Sequence, residues 1–478
     1  MSLLPGLTSV GLLERLSVGV RSDVFNLYAA RAARGLGDGF AAIILPAYLL
    51  EIGFNPFQIG IVATAALLGS AATTLAIGFL APRYDVRTLL LVCAALMVVT
   101  GIAIPSAQHL VFIAAIAFIG TMNPTTGDIG IHIPLEQASL AQDASDKDRT
   151  HIFARYSLIG ALSIAAGALA AGAPDWLVSW GIGKIPALQA MFYVYATLGL
   201  VGALFYSRLS HAKPRPAAPQ ATALGPSRRT VYKLAALFSL DSFAGGFTVQ
   251  SLLALWLFER FDLSLATASA FFFWSNLLSA FSYPVAARLG KRFGLVNTMV
   301  FTHIPSSICL ILAAFSPNLT VVLVLLLVRS ALSQMDVPTR TSYVMAVVTP
   351  AERTAAASVT AVPRSLASAV SPALSGALLA TSFAALPLVI CGVLKIVYDV
   401  SLLYRSGTSS RRRKERQSEP RPVHQCRTVG ASFAGALART DRAKRRRGLL
   451  LEVGRPSASA PENHARCRRQ NHCQAQAL

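Results

Sequence analysis

Long apolar runs alternate with short polar segments along most of this chain. Twelve runs stand out, at 24–50, 57–81, 88–106, 110–136, 153–173, 186–207, 232–257, 264–287, 294–315, 319–340, 357–380 and 383–404. A helix needs about 20 mostly apolar residues to cross the hydrocarbon core of a bilayer. The pattern therefore predicts an all-α integral membrane protein of twelve transmembrane helices. Ala, Leu and Gly recur through the runs, and such small residues let helices approach where lipid supplies no hydrophobic drive for association. The short alternating segments of a membrane β-barrel are absent from the sequence.

Six runs precede the polar stretch 208–230 and six follow it, and the two sets repeat each other. Gly39, Phe40, Leu45, Ala47, Leu50 and Phe54 recur 207 residues later as Gly246, Phe247, Leu252, Ala254, Leu257 and Phe261. Arg83 and Arg87 return 205 residues later as Arg288 and Arg292. Pro134, Asp148, Arg149 and Thr150 return at 204 as Pro338, Glu352, Arg353 and Thr354. An offset that shrinks in order reads as one duplicated unit with small insertions. Duplicated hydrophobic halves are the mark of secondary transporters, whose substrate site lies between the repeats. The expected organisation is a six-helix bundle over 1–207, a linker over 208–230 and a second bundle over 231–404. A basic tail at 405–478, rich in Arg, Ser and Pro, is expected to be disordered.

Composition agrees with a membrane protein: 54% hydrophobic residues against 14% charged, with a mean hydropathy of +0.54. The net charge of +21 does not indicate nucleic acid as a partner. The tail holds 18 basic and 5 acidic residues, and most other cations fall in alternate loops. One set of loops carries Arg83, Arg87, Lys147, Arg149, the linker cations, Arg288, Lys291, Arg292 and Arg353. The opposite set carries Lys184 and Arg260. Positive charge marks the cytoplasmic face, so both termini and the linker are expected there, in a multi-pass protein of the plasma membrane. No phosphate-binding loop, metal-ligand spacing or clustered catalytic set is found, so neither cofactor, metal nor enzymatic activity is expected.

The loop after the second run reads Gly78-Phe-Leu-Ala-Pro82-Arg83-Tyr-Asp85-Val-Arg87, and its counterpart contains Arg288, Gly290, Lys291 and Arg292. Both resemble the short basic loop G-x-x-x-D-R-x-G-R-[RK] of the major facilitator superfamily, and the resemblance extends over about residues 24–404. Pro338, Arg340, Ser342 and Tyr343, followed by Pro350, Glu352 and Arg353, resemble that superfamily around its tenth helix. Pro82 and Ala287 stand where the pattern has Asp, and Asp85 where it has Gly. Membership implies two six-helix bundles that rock about a central site and expose it to each side in turn. It implies that Arg83, Arg87, Arg288 and Arg292 belong to a cytoplasmic gate, with Glu136 within reach of Arg83 or Arg87. Superfamily frequency makes efflux the expected direction.

Charges inside a bilayer cost at least about 2.5–3.5 kcal/mol at a helix centre, so each calls for a partner or a wet cavity. Arg329, near mid-depth in the tenth run, suits an anionic substrate group or a carboxylate partner, because its planar fork matches two oxygens. Asp38 and Asp241 are the candidate carboxylates. Gln250, Asn276 and Arg364 are further candidates for binding substrate or ion. In the fourth run Asp128, His132 and Glu136 share a helix face at a spacing of four. His132 and Glu136 correspond to Asp336 and Arg340 at the offset of 204. These five residues are expected to carry protons or to form a gate, with the gate favoured. Asn123, Pro124 and Gly127 predict a kinked or partly unwound helix, tolerated only around a cavity. Arg31 and Arg34 are expected to snorkel to the interface, Lys395 and Asp399 to pair with each other, and His303 to be a packing residue.

The expected function is therefore alternating-access transport of a small organic molecule, anionic or amphipathic, coupled to protons or another ion, by a monomer. The alternatives are a transporter-like receptor without turnover and a multipass membrane enzyme.

Overall fold

The computed structural model describes residues 22–81, 83–125, 130–143, 149–210, 225, 227–349, 352–381 and 383–418. The first half folds as α1 (Ser22–Glu51), α2 (Pro56–Leu80), α3 (Val86–Ser106), α4 (Leu110–Ile119), α5 (His132–Asp143), α6 (Arg149–Ala170), α7 (Ala173–Ser179) and α8 (Lys184–Ser207). The second half follows with α9 (Arg228–Gly246), α10 (Gln250–Phe261), α11 (Leu265–Phe293), α12 (Leu295–Phe315), α13 (Leu319–Ser333), α14 (Asp336–Val347), α15 (Arg353–Leu379) and α16 (Leu386–Ser418). No strand occurs among the described residues.

Helix starts follow local chemistry. Asn55 and Gln58 form a capping box ahead of α2, and Pro56 sits in its first turn, where its missing N–H costs nothing. Asp85 accepts from the N–H of Arg87 at the start of α3, and Ser264 from that of Thr267 at the start of α11. Gly294, at φ 88°, lets the chain reverse between α11 and α12.

Seven described helices are long and apolar enough to cross a membrane. The fourth, seventh and tenth predicted runs are each interrupted, between α4 and α5, α9 and α10, and α13 and α14. Asn123 and Pro124 fall in the first of these interruptions, as expected, and Gly127 and Asp128 lie outside the described residues. At the second break the N–H of Ser251 bonds the carbonyl of Pro124 at 3.1 Å, so broken segments of the two halves satisfy each other. One expectation is corrected at the C-terminus: the last helix runs past 404 to Ser418 rather than giving way to disorder. The remainder of the tail, 419–478, lies outside the described residues.

The core explains how the halves meet. One hydrophobic cluster takes residues from both, from Phe40, Ile59 and Leu188 to Trp256, Phe272 and Leu379. Two others are confined to one half each: Leu27, Leu90, Tyr156 and Tyr206 in the first, Val231, Phe238, Met299 and Tyr398 in the second. The shared cluster lies toward the turns that carry few cations, and the separate clusters toward the basic loops. The halves are therefore fused at one end and separate at the other. The fusion is close. Any Cβ on Gly60 of α2 would lie 2.5 Å from the carbonyl oxygen of Pro372 and 3.0 Å from Cα of Gly376 on α15. Next to it Thr64 accepts from the N–H of Ala373 at 2.9 Å. Across the same end the Asp175 carboxylate accepts from the N–H of Ala266 in the first turn of α11, at 2.8 Å.

Gly376→Leu forces a side chain into the α2–α15 crossing. Over-packing of this kind costs about 1–3 kcal/mol, so the closed form of this end is expected to lose about tenfold or more in population. A cysteine placed at Leu253 should then react faster with a membrane-impermeant thiol reagent applied from that side. Unchanged reactivity would show that the crossing does not hold this end shut.

Near the basic-loop end, Glu352 accepts from the N–H groups of Gly225, at 2.5 Å, and Ser227, at 3.4 Å, and from the Thr349 hydroxyl at 2.7 Å. Side-chain hydrogen bonds from Ser227 and Thr349, backed by these N–H groups, hold its carboxyl down at about 2. The end of the linker is thus tied to the start of α15.

Candidate functional site

A cavity of about 520 Å³ lies between the halves, reaching from Leu253 and Phe272 near the fused end to Tyr283 and Val337 on the basic-loop side. Its walls are unequal. The first half supplies Thr125, Ser157, Ala161 and Ile164, and α9 to α16 supply the rest. Among the described residues, all the charged lining groups belong to the second half: the cations Arg329, Arg340, Arg364 and Lys395, against the carboxylates Asp241 and Asp336.

These charges differ in how far they are satisfied. Asp241, on α9, accepts from Arg340 through Oδ2 and from Lys395 through Oδ1, both at 2.8 Å. Arg340 also pairs with Asp336 one turn earlier on α14, at 3.2 Å, and its guanidinium lies over the Phe238 ring. Lys395 reaches on to Nε2 of His303 at 3.2 Å, and Nδ1 of His303 meets Asp399 at 3.0 Å. Arg329 and Arg364 instead rest on neutral hydroxyls. Arg329 donates to Thr248 at 3.3 Å and Arg364 to Ser242 at 3.2 Å. Gln250 and Asn276 also line the cavity, and Nδ2 of Asn276 is shielded from solvent without a hydrogen-bond partner among the described residues. Two guanidinium groups and an amide are thus presented to the cavity with capacity left over.

The first half holds a comparable charge set but seals it in its core. Glu136 on α5 is fully buried. It accepts from Arg34 of α1 at 2.9 Å and from the hydroxyls of Tyr156 and Tyr206. Arg34 pairs with Asp38 at 3.4 Å, one turn along α1. His132 stacks on the Tyr206 ring, and Arg31 lies over Tyr156.

Set side by side, the halves are charge-inverted copies. The offset of 207 carries Arg34 onto Asp241, and the offset of 204 carries Glu136 onto Arg340. Each half thus has one pair joining its first and fourth segments, cation on the first segment in one half and on the fourth in the other. The arginine takes a second carboxylate from its own helix each time, Asp38 for Arg34 and Asp336 for Arg340. Gly39 and Gly246 recur in the repeat for a related reason. A side chain on Gly39 would strike the backbone of α6 at Ile164, and one on Gly246 would lie 2.6 Å from the carbonyl of Ser368 on α15.

Several expectations change. Glu136 does not reach Arg83 or Arg87. Its carboxylate is consumed by Arg34 and two tyrosines, while Arg83 is exposed in its loop, Arg288 and Arg292 are exposed near the C-terminal end of α11, and Arg87 is half-buried in α3. Asp38 does not line the cavity with Arg329, because it pairs within α1. Arg31 and Arg34 do not snorkel: they are 1% and 5% exposed and turn into the bundle. Lys395 and Asp399 do not pair with each other, because His303 stands between them. His303, Arg34, Tyr156 and Tyr206 are members of these networks that residue-by-residue reading missed. Extending the offset of 207 five residues back from Gly39 would have set Arg34 opposite Asp241. Asp128 lies outside the described residues.

The family model described as Major Facilitator Superfamily matches this chain twice, over residues 27–239 and 235–451. In Saccharomyces cerevisiae the protein described as uncharacterized membrane protein YJR124C is 23% identical over 418 residues, spanning 80% of this chain and 93% of its own. Among solved structures, the nucleoside transporter NupG superposes with a TM-score of 0.63 at 14% identity, over 80% of this chain and 98% of that one. A bacterial homologue of the human lysosomal transporter Spinster, inward-facing and occupied, gives 0.63 at 14% identity, over 80% and 96%. The human organic anion transporter MFSD10 gives 0.54 at 16%, over 80% and 99%. At these identities the structural likeness speaks to the fold.

Proposed function

This chain belongs to the Major Facilitator Superfamily, and on that premise we propose that it carries a small organic anion across the membrane by alternating access, with the second-half cavity as the binding site. The observation that carries the reading is the imbalance of four cations against two carboxylates among the described residues of the cavity wall. A buried cation without a counter-charge is costly, and an anionic cargo supplies that charge. Arg329 and Arg364, which donate to hydroxyls and to no carboxylate among the described residues, are the groups that receive it. Asn276 and Gln250 orient the remainder of the molecule. A likeness in fold to a human organic anion transporter is compatible with this class.

The basic loops are assigned to the cytoplasm by the positive-inside rule, which puts both termini there and opens the cavity to the cytoplasm in this state. A site loaded from the cytoplasm suits export across a plasma membrane. Rocking of the halves then separates α2 from α15 and brings the basic loops together, with Arg83, Arg87, Arg288 and Arg292 at the closing gate. Proton coupling is part of the proposal, and transport by a monomer is sufficient for it.

The test is flux through the full-length chain in proteoliposomes under an imposed pH gradient, with a panel of radiolabelled organic anions, nucleosides, sugars and organic cations. Saturable flux of an anion that responds to the gradient is the expected result. Flux restricted to neutral or cationic compounds would overturn the anion reading. Saturable binding without flux would favour a receptor.

A further inference from the structure

One chain of polar contacts remains without a role: Asp241, Lys395, His303 and Asp399, linked end to end from the cavity wall to the interior of the second half. We propose that His303 is the proton-binding group of this protein, and that its protonation releases the Lys395 ammonium from Asp241 into the cavity, where it joins the anionic cargo. The second clause rests on the anion reading above. The first does not.

The contacts dictate the resting state. An ammonium only donates hydrogen bonds. Lys395 Nζ lies 2.8 Å from Asp241 Oδ1 and 3.2 Å from His303 Nε2. Nε2 must therefore present its lone pair, so the ring proton sits on Nδ1, which donates to Asp399 at 3.0 Å. The imidazole is neutral in this arrangement. Around it, α9 contributes Asp241, α14 contributes Arg340 and Asp336 behind Asp241, and α16 contributes Lys395, Asp399 and the Tyr398 ring. From α13, Arg329 offers its backbone carbonyl to Ser306, three residues beyond His303. Three carboxylates, Asp241, Asp336 and Asp399, lie among the cations Lys395, Arg340 and, from α15, Arg364, whose charge also acts on Asp241 and Asp336. Asp399 lies against the ring itself, and a proton on His303 gives it a directly bonded cation.

The position of that proton follows from the distances. Nε2 carries the ring's lone pair, which accepts from Lys395 at rest; a proton arriving from cavity water takes that lone pair and forms an N–H there. Two donors then point at each other, Nε2–H and the ammonium. Asp241 Oδ1 lies 4.0 Å from Nε2, near enough to accept from it after a small side-chain movement. The Lys395···Asp241 hydrogen bond breaks and the His303···Asp241 bond takes its place. Asp241 keeps Arg340 through its other oxygen, so the α9–α14 tie survives. Lys395 already lines the cavity, and once free it raises the positive charge facing the cargo. Proton and anion thus bind together, and they share a direction of travel. Export by this route draws on the anion's own gradient.

The experiment is NMR of isotope-labelled histidine in the full-length protein in lipid nanodiscs, with the His303 resonances assigned by their loss in His303→Gln or their displacement in Asp399→Asn. At alkaline pH the expected signature is a protonated Nδ1 and a bare Nε2. The midpoint for protonating Nε2 should rise by about one pH unit in Lys395→Gln, where a neighbouring cation is gone. It should fall by about as much in Asp241→Asn. The opposite tautomer, or a midpoint unmoved by Lys395→Gln, overturns the proposal even if anion flux is found in proteoliposomes. The predicted titration without any anion flux would instead leave the proton site standing and remove the cargo reading.

Discussion

Glu136→Gln should leave a protein that barely accumulates in membranes. The carboxylate is fully buried between Arg34, Tyr156 and Tyr206. Replacing it with an amide strands a cation in the first bundle, for which breaking a buried pair costs about 3–5 kcal/mol. Arg34 retains only Asp38, at 3.4 Å, as a charged partner. The second half shows that the same two positions accept the opposite order of charge, since Asp241 and Arg340 occupy them there. The double variant Arg34→Glu, Glu136→Arg is therefore expected to recover a large part of the loss that either single change causes. Thermal melting of purified protein, read alongside membrane yield, measures both. If Glu136→Gln melts like the parent, or the exchanged pair is no better than its singles, the inverted pairing is not what holds the first and fourth segments together.

Arg329→Met should do the reverse, sparing the fold and removing the anion. Its guanidinium has one neutral partner, Thr248 at 3.3 Å, so no carboxylate is orphaned when it goes. Hydrogen bonds to charged groups contribute about 1.5–3 kcal/mol, which corresponds to roughly tenfold to a hundredfold in affinity for the anion. Arg329→Lys keeps the charge but loses the two-pronged geometry, and an intermediate loss is expected. Concentration dependence of flux for the anion identified in proteoliposomes gives the comparison. Unaltered affinity in Arg329→Met would move the binding site elsewhere.

Much of this architecture was legible in the order of residues. Apolar runs of membrane-spanning length, loops of alternating charge and the drifting repeat each reflect a constraint that acts locally along the chain. A helix in lipid must satisfy its own backbone and hide its own polarity, so its sequence carries the record. The break in the fourth segment was legible for the same reason, through Asn123 and Pro124, whereas those in the seventh and tenth were not read from the sequence. Arg329, Arg364, Asp241, Asn276 and Gln250 could be named because an ionisable or amide group within an apolar run is costly wherever it points.

Partnership was not legible. Asp38 and Asp241 look alike as acidic residues inside their runs, yet one is spent within its own helix and the other holds two cations at the cavity wall. His303 looks like a packing residue until Lys395 and Asp399, 92 and 96 positions away, are seen on either side of its ring. Composition and periodicity determined that this is a duplicated, helical membrane protein with costly charges in its interior. Only the tertiary structure decided which charges neutralise one another and which are left for a ligand. Charge pairing acts over about 3 Å between helices remote in sequence, and the rotation of each helix, which no single segment encodes, settles which groups come that close.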